Sequence, residues 1–150
     1  MGYALFSDDG QPITWGQFEW QSWEVYTTIT KAAKVAVVER FVLYGSLANA
    51  QVNSEFVASQ VIGVVRYLCW QRGIPLVFQP ASEIHHTTVR PTRGGGSTRH
   101  TEINPLLKPL VDAIAPTGPH QRDAIAHALR LIRSGKAAEY IDTTGLPTSP

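Results

Sequence analysis

The sequence predicts a mixed α/β domain: a partly parallel sheet with an N-terminal β-hairpin and flanking helices. Three observations carry that expectation. Asp8-Asp9-Gly10 separates two short β-prone runs, a strong local signal for a hairpin. Residues 35–79 read as strand, long helix, strand, the pattern of a parallel βαβ unit with a right-handed crossover. The segment HQRDAIAHALRLIRSG, 120–135, has helical periodicity and stops at Gly135.

Taken in order, YALFS (3–7) and PITWGQF (12–18) are the hairpin strands. Residues 22–33 are a weaker helix candidate, with Ser22 as its cap, because TTIT at 27–30 is β-branched. Residues 35–43 form a strand too apolar to be half-exposed, and a loop with Gly45, Ser46 and Asn49 follows. Asn53 or Ser54 can cap the next helix, where Val57, Val61, Val64, Val65 and Leu68 share a face; Gly73 and Pro75 end it. LVFQ, 76–79, is the second parallel strand. Residues 81–103 lack periodicity, and TRGGGSTRH at 92–100 reads as a flexible basic segment. A short helix is expected over 105–115 despite its two prolines. The domain spans 1–136, and 137–150 is a tail.

The length of 150 residues suits one domain with a sizeable core, and the 43% apolar content argues against disorder. No apolar run approaches the ~20 residues of a membrane span, so no membrane partner is expected. Cys69 stands alone, which excludes a disulfide framework and a cysteine zinc cage; a small buried hydrophobe inside an intracellular protein is the expectation. The four tryptophans, Trp15, Trp20, Trp23 and Trp70, read as core or interface aromatics. The net charge of +1 hides an asymmetry: residues 1–65 carry three Lys/Arg against six Asp/Glu, and 66–136 carry ten against four. The basic stretch suits either a solvated surface or phosphate backbones.

Glu39 interrupts the apolar run VAVVERFVL, where a carboxylate is costly to bury unless paired, hydrogen-bonded or metal-bound. On the last helix His120, Asp123 and His127 fall within roughly a 60° arc, apart from the core stripe of Ile125, Ala128, Leu129 and Ile132. Parallel βα sheets gather ligands at the carboxyl ends of their strands. A strand Glu and a helix-start Asp are the hard oxygen donors that Mg²⁺ or Mn²⁺ accepts. His85, His86 and His100 make a poorer metal signal, lacking cysteines or a fixed spacing.

The stretch from Val37 to Ser82 followed by HQRDAIAHAL, 120–129, resembles the RuvC-like Holliday-junction resolvases of bacteriophages, which have a ribonuclease H-like fold. GYALF, 2–6, resembles the second half of that family's first strand, and the likeness covers roughly 2–135. The resemblance implies a metal-dependent endonuclease that cuts branched DNA, leaves 5′-phosphates, works as a homodimer and resides in the host cytoplasm. It assigns Glu39 and Asp123 as ligands of Mg²⁺ or Mn²⁺, with His120 at the metal and His127 orienting Asp123, touching substrate or lying at the surface. In the DNA reading Arg90, Arg93, Arg99 and Lys108 are phosphate contacts; loop solubility explains each equally well.

The family's first strand usually reads DPG-x-T-x-GYA, its aspartate being a principal ligand, whereas this chain opens at Met1-Gly2-Tyr3. Asp8 and Asp9 belong to the hairpin turn and do not replace that aspartate. The expectation is an Asp-x-Gly encoded upstream of Met1; otherwise the chain is a remnant with impaired catalysis. Two alternatives stay open: a non-catalytic junction-binding module, and a ribonuclease H-like nuclease acting on hybrids or flaps.

Overall fold

The structure, a computed structural model, describes residues 1–40, 57–91 and 97–142. It is mixed α/β, with three small sheets and five helices among these residues. Strands β1 (Gly2–Phe6) and β2 (Pro12–Gln17) form an antiparallel hairpin, Gly2 opposite Gln17 and Leu5 opposite Thr14. Gly10 takes φ +80°, a value that glycine adopts without strain, and Gly10 N–H donates to Ser7 O at 2.9 Å. Asp8 and Asp9 lie on this turn as expected, Asp8 exposed and paired with Lys34, Asp9 hydrogen-bonded by Ser7.

Helix α1 (Trp23–Ala32) forms despite its β-branched centre, because tertiary packing outweighs propensity. Its buried face holds Tyr26 and Thr30, and the Thr30 hydroxyl donates to the Tyr26 carbonyl at 2.8 Å and receives a bond from Arg72. Ser22 makes no side-chain cap. Aromatic rings chain the hairpin to this helix: Phe18 meets Tyr26 edge-on at 4.9 Å, and Trp20 meets Trp23 at 5.8 Å. Trp23 and Trp70 are exposed, so of the two expected roles, core or interface, they do not fill the first.

Strand β3 (Ala36–Glu39), helix α2 (Val57–Gln71) and strand β4 (Leu76–Gln79) give the parallel pair expected, Ala36 opposite Leu76 and Glu39 opposite Gln79. The expected continuation of β3 through 41–43, the loop and the helix cap at 53–54 lie outside the described residues. Val61 and Cys69 are buried on α2. The hairpin and the parallel pair are separate sheets, so the single sheet edged by a hairpin is not what the described strands form.

Residues 81–103, expected to lack periodicity, instead hold a second hairpin, β5 (His85–Pro91) on β6 (Ser97–Ile103), with His85 opposite Ile103 and Arg90 opposite Thr98. Of the basic segment 92–100 expected to be flexible, residues 92–96 lie outside the described residues. The β-branched run Thr87-Thr88-Val89 fits a pleated ribbon, and glycines 94–96 between the strands had masked it. Helix α3 (Lys108–Ile114) begins later than expected, and Pro109 sits in its first turn, where no helical donor is lost. Helix α4 (Pro119–Arg133) follows, and α5 (Lys136–Asp142) continues into what was expected to be tail, burying Ala137.

The core cluster is Ile84, Ile103, Leu107, Val111, Ile125, Ala126 and Leu129, which joins the second hairpin and α3 to α4. Strand β1 also lies tight on α4: a Cβ at Gly2 would overlap the His120 carbonyl, so glycine permits this approach. No described helix is long and apolar enough to cross a membrane. Ile125 is fully buried, and Ile125→Ala is expected to lower unfolding free energy by about 2–5 kcal/mol. A denaturant midpoint that does not fall would place Ile125 outside the core.

Candidate functional site

Glu39 ends β3 and Gln79 ends β4, directly opposite in the parallel register, so the two side chains leave the sheet together. Helix α4 crosses this end. Its core side is set by Ile125, Ala126 and Leu129, which turns His127 down toward the strand ends and carries Asp123, one turn earlier, along the same face. His127 is buried, not at the surface, with only 5% of its area exposed. Its Nδ1 lies 2.9 Å from Gln79 Oε1, and its Nε2 lies 3.6 Å from Glu39 Oε2.

The orientation of that imidazole has a chemical consequence. With Oε1 as the acceptor, Nδ1 carries the proton, and Nε2 is left buried with no hydrogen-bond partner. A bare nitrogen lone pair facing a carboxylate is unfavourable. The pairing becomes favourable when a proton resides on Nε2, or when a cation is shared with the carboxylate. The His127 ring holds the Glu39 carboxyl below its ordinary range, against a smaller opposing effect of burial.

Asp123 behaves oppositely. Burial pushes its carboxyl up, the His85 ring pulls it down, and the Glu39 charge adds to the rise. The two carboxyls therefore sense one another, and both line a cavity of about 790 Å³ together with His120 and His127. His120, at the exposed first turn of α4, sits one turn before Asp123. His85 Nε2 is 3.4 Å from Asp123 Oδ1, while its Nδ1 is buried without a hydrogen-bond partner. His85 was legible only as one of three weak histidines; its opening position in β5, on a strand the sequence analysis missed, brings it here. Gln79 had no signal at all, since a neutral amide ending an apolar strand resembles any other polar stop.

Among the described residues, no three of His, Cys, Asp and Glu converge closely enough to hold a metal by themselves. Two carboxylates are nonetheless compatible with Mg²⁺, which keeps several waters and commonly takes one or two protein carboxylates plus substrate phosphate oxygens. Glu39 and Asp123 fit that shared kind of site and do not fit a closed protein cage.

Of the expected phosphate contacts, two share the β5–β6 hairpin and one opens α3. Lys108 opens α3 and pairs with Asp112, which also receives Arg122 at 3.0 Å. Arg90 lies on β5 and Arg99 on β6, opposite Val89. Arg93 lies outside the described residues. Comparison of the chain with protein families, with curated proteins and with solved structures finds no match.

Two outcomes follow from the geometry. Gln79→Leu strands a buried His127 Nδ1–H, and the expected loss is about 1–3 kcal/mol in chemical denaturation. Asp123 has a folded-state pKa above its ordinary 3.8, so its ionisation weakens the fold as pH rises through that raised value. Asp123→Asn is therefore expected to raise the melting temperature near neutral pH. The gain should shrink toward zero as pH falls to the ordinary carboxylate range, where the wild-type group is protonated in both states. A gain that persists unchanged at low pH would deny the burial effect.

Proposed function

We propose that the chain is a divalent-metal-dependent, structure-selective endonuclease acting on branched DNA, with a ribonuclease H-like fold of the RuvC-like resolvase kind. The observation carrying this reading is the meeting of Glu39 and Asp123. They are far apart in sequence and arrive on the wall of one cavity, each with a histidine beside it.

In this reading Glu39 and Asp123 would be the residues that hold Mg²⁺ or Mn²⁺. A metal held there would supply a water of lowered pKa and charge stabilisation for displacement at a phosphodiester. His127, fixed from behind by Gln79, keeps Glu39 ionised and oriented. His85 faces Asp123 and favours its carboxylate form. His120, exposed beside Asp123, is positioned to assist as a ligand or to carry a proton to or from solvent. Arg90, Arg93, Arg99 and Lys108 are the cations assigned to phosphates, positioning the duplex without reading its sequence. A four-way junction presents two symmetric cuts, which suits a homodimer.

The test uses purified protein, Mg²⁺ or Mn²⁺, and a labelled four-way junction, with flap and RNA–DNA hybrid substrates alongside. Glu39→Gln and Asp123→Asn are each expected to reduce cleavage at least ~100-fold, the scale on which loss of a charge-stabilising group acts. Junction binding should be largely retained. Cleavage unchanged in either variant would refute the reading, and wild-type binding with no metal-dependent cleavage would make the chain a binding module.

A further inference from the structure

The β5–β6 ribbon is tied to the body at its base. Among the described residues its two strands pair only with each other, and beyond the single helical turn Ala81–Glu83 neither packs extensively on another described element. The base itself is firmly anchored: Ile103 and the preceding Ile84 enter the core, and His85 Nε2 stands 3.4 Å from Asp123 Oδ1. Immediately outward, His86 and Thr87 on one strand and Thr101 and Glu102 on the other are already exposed. Seven residues per strand give a length of roughly 20 Å. The ribbon is therefore an arm whose root is the candidate site.

Composition points this arm at an anion. From His85 to Thr101 the sequence holds three arginines, three histidines and no Asp or Glu, with threonine or serine at six positions. The register then gives the shape of that anion. Partners across an antiparallel pair share a face, and neighbours along a strand alternate. Arg90 belongs with Thr88, Thr98 and His100 on one face, and Arg99 with Thr87, Val89 and Thr101 on the other. A ribbon lying flat on one row of phosphates would gather its cations on one face. Cations on both faces, one rung apart, suit a cleft with phosphates on each wall, and a nucleic-acid groove is such a cleft. The strand spacing makes a two-stranded ribbon about 10 Å across. The B-form major groove, about 12 Å wide, admits such a ribbon; the minor groove, about 6 Å wide, is too narrow, and the A-form major groove is deep and narrow. We propose that β5–β6 is a groove arm that enters the major groove of a B-form DNA duplex, with Arg90 and Arg99 each serving the phosphates of one wall. The proposal deepens the nuclease reading, on which the choice of DNA rests. It assigns the gripped part of the substrate to B-form DNA and not to an RNA–DNA hybrid.

The probe is a labelled linear DNA duplex, with the RNA duplex of the same sequence alongside, bound to the full chain in a metal chelator over a series of salt concentrations. Arg90→Ala and Arg99→Ala are each expected to reduce the slope of log affinity against log salt by about 0.9, and the double variant by about twice that. Lys31→Ala, at an exposed position on α1, should leave the slope unchanged. The RNA duplex should bind at least ~tenfold more weakly, because its major groove is closed to a ribbon. In the wild-type complex, guanine N7 atoms, which lie in the major groove, should be protected from dimethyl sulfate, and the double variant should lose that protection. Four results would each overturn the proposal: an unchanged slope in the double variant, an equal fall in Lys31→Ala, RNA bound as tightly as DNA, or N7 atoms fully reactive in the complex. If the double variant does not fold, the wild-type methylation pattern and the RNA comparison still decide. Duplex binding of this kind without metal-dependent cleavage would remove the nuclease reading and leave the arm. Cleavage that needs Glu39 and Asp123, in a chain whose arginine variants bind unchanged, would do the reverse.

Discussion

The buried imidazole of His127 is the constraint on which the rest of this end of the molecule depends. It sits where α4 crosses the carboxyl ends of the parallel strands, and it addresses both strands at once, Gln79 through Nδ1 and Glu39 through Nε2. A polar ring in such a place is tolerable only when its nitrogens are answered. Gln79 answers one fully. Glu39 Oε2 stands 3.6 Å from the other, just beyond hydrogen-bond reach. Because a helix is rigid, fixing His127 also fixes the bearing of Asp123 one turn before it and of His120 nearly another turn earlier.

Two carboxyls therefore share one cavity under different conditions. Glu39 is half-exposed, next to an imidazole, and its charged form is favoured; Asp123 is more enclosed, and its charged form is disfavoured. Environments that push paired acids apart are a common mark of chemical sites, although structural networks do the same. Here the His127 ring lowers Glu39, whereas burial raises Asp123 against the opposing pull of His85. The same cavity also separates two strand pairs that lack mutual hydrogen bonds. Both carboxyls line that cavity along with β1 and β3.

Much of the architecture was legible because short-range signals were strong. Asp-Asp-Gly marked the first hairpin, and the valine spacing of 57–68 followed by Gly73 and Pro75 marked the βαβ unit. Other elements were obscured where local and tertiary preferences conflict. Helix α1 carries TTIT, whose β-branching argues against a helix, yet burying Tyr26 and Thr30 wins. The β5–β6 ribbon was hidden by its glycines and basic residues, which in sequence look like a mobile loop. The α5 segment KAAEYID is too short to show a helical stripe, and it buries Ala137 against the body.

The sequence by itself determined the class of structure, the parallel pair, and the pairing of Glu39 with the Asp123 helix as the residues worth testing. The first two rest on periodicity and Glu39 on the cost of placing a charge in an apolar strand, all properties of nearby residues, while the pairing with Asp123 rests on the resemblance to the RuvC-like resolvases. Only the tertiary structure decided that His127 is buried, that Gln79 holds it, that His85 faces Asp123, and that the strands stand as separate ribbons around a cavity. Each of these depends on the rotation of α4 about its axis and on its packing against strands far away in sequence. No local pattern encodes that rotation; it emerges when Ile125, Ala126 and Leu129 find the core.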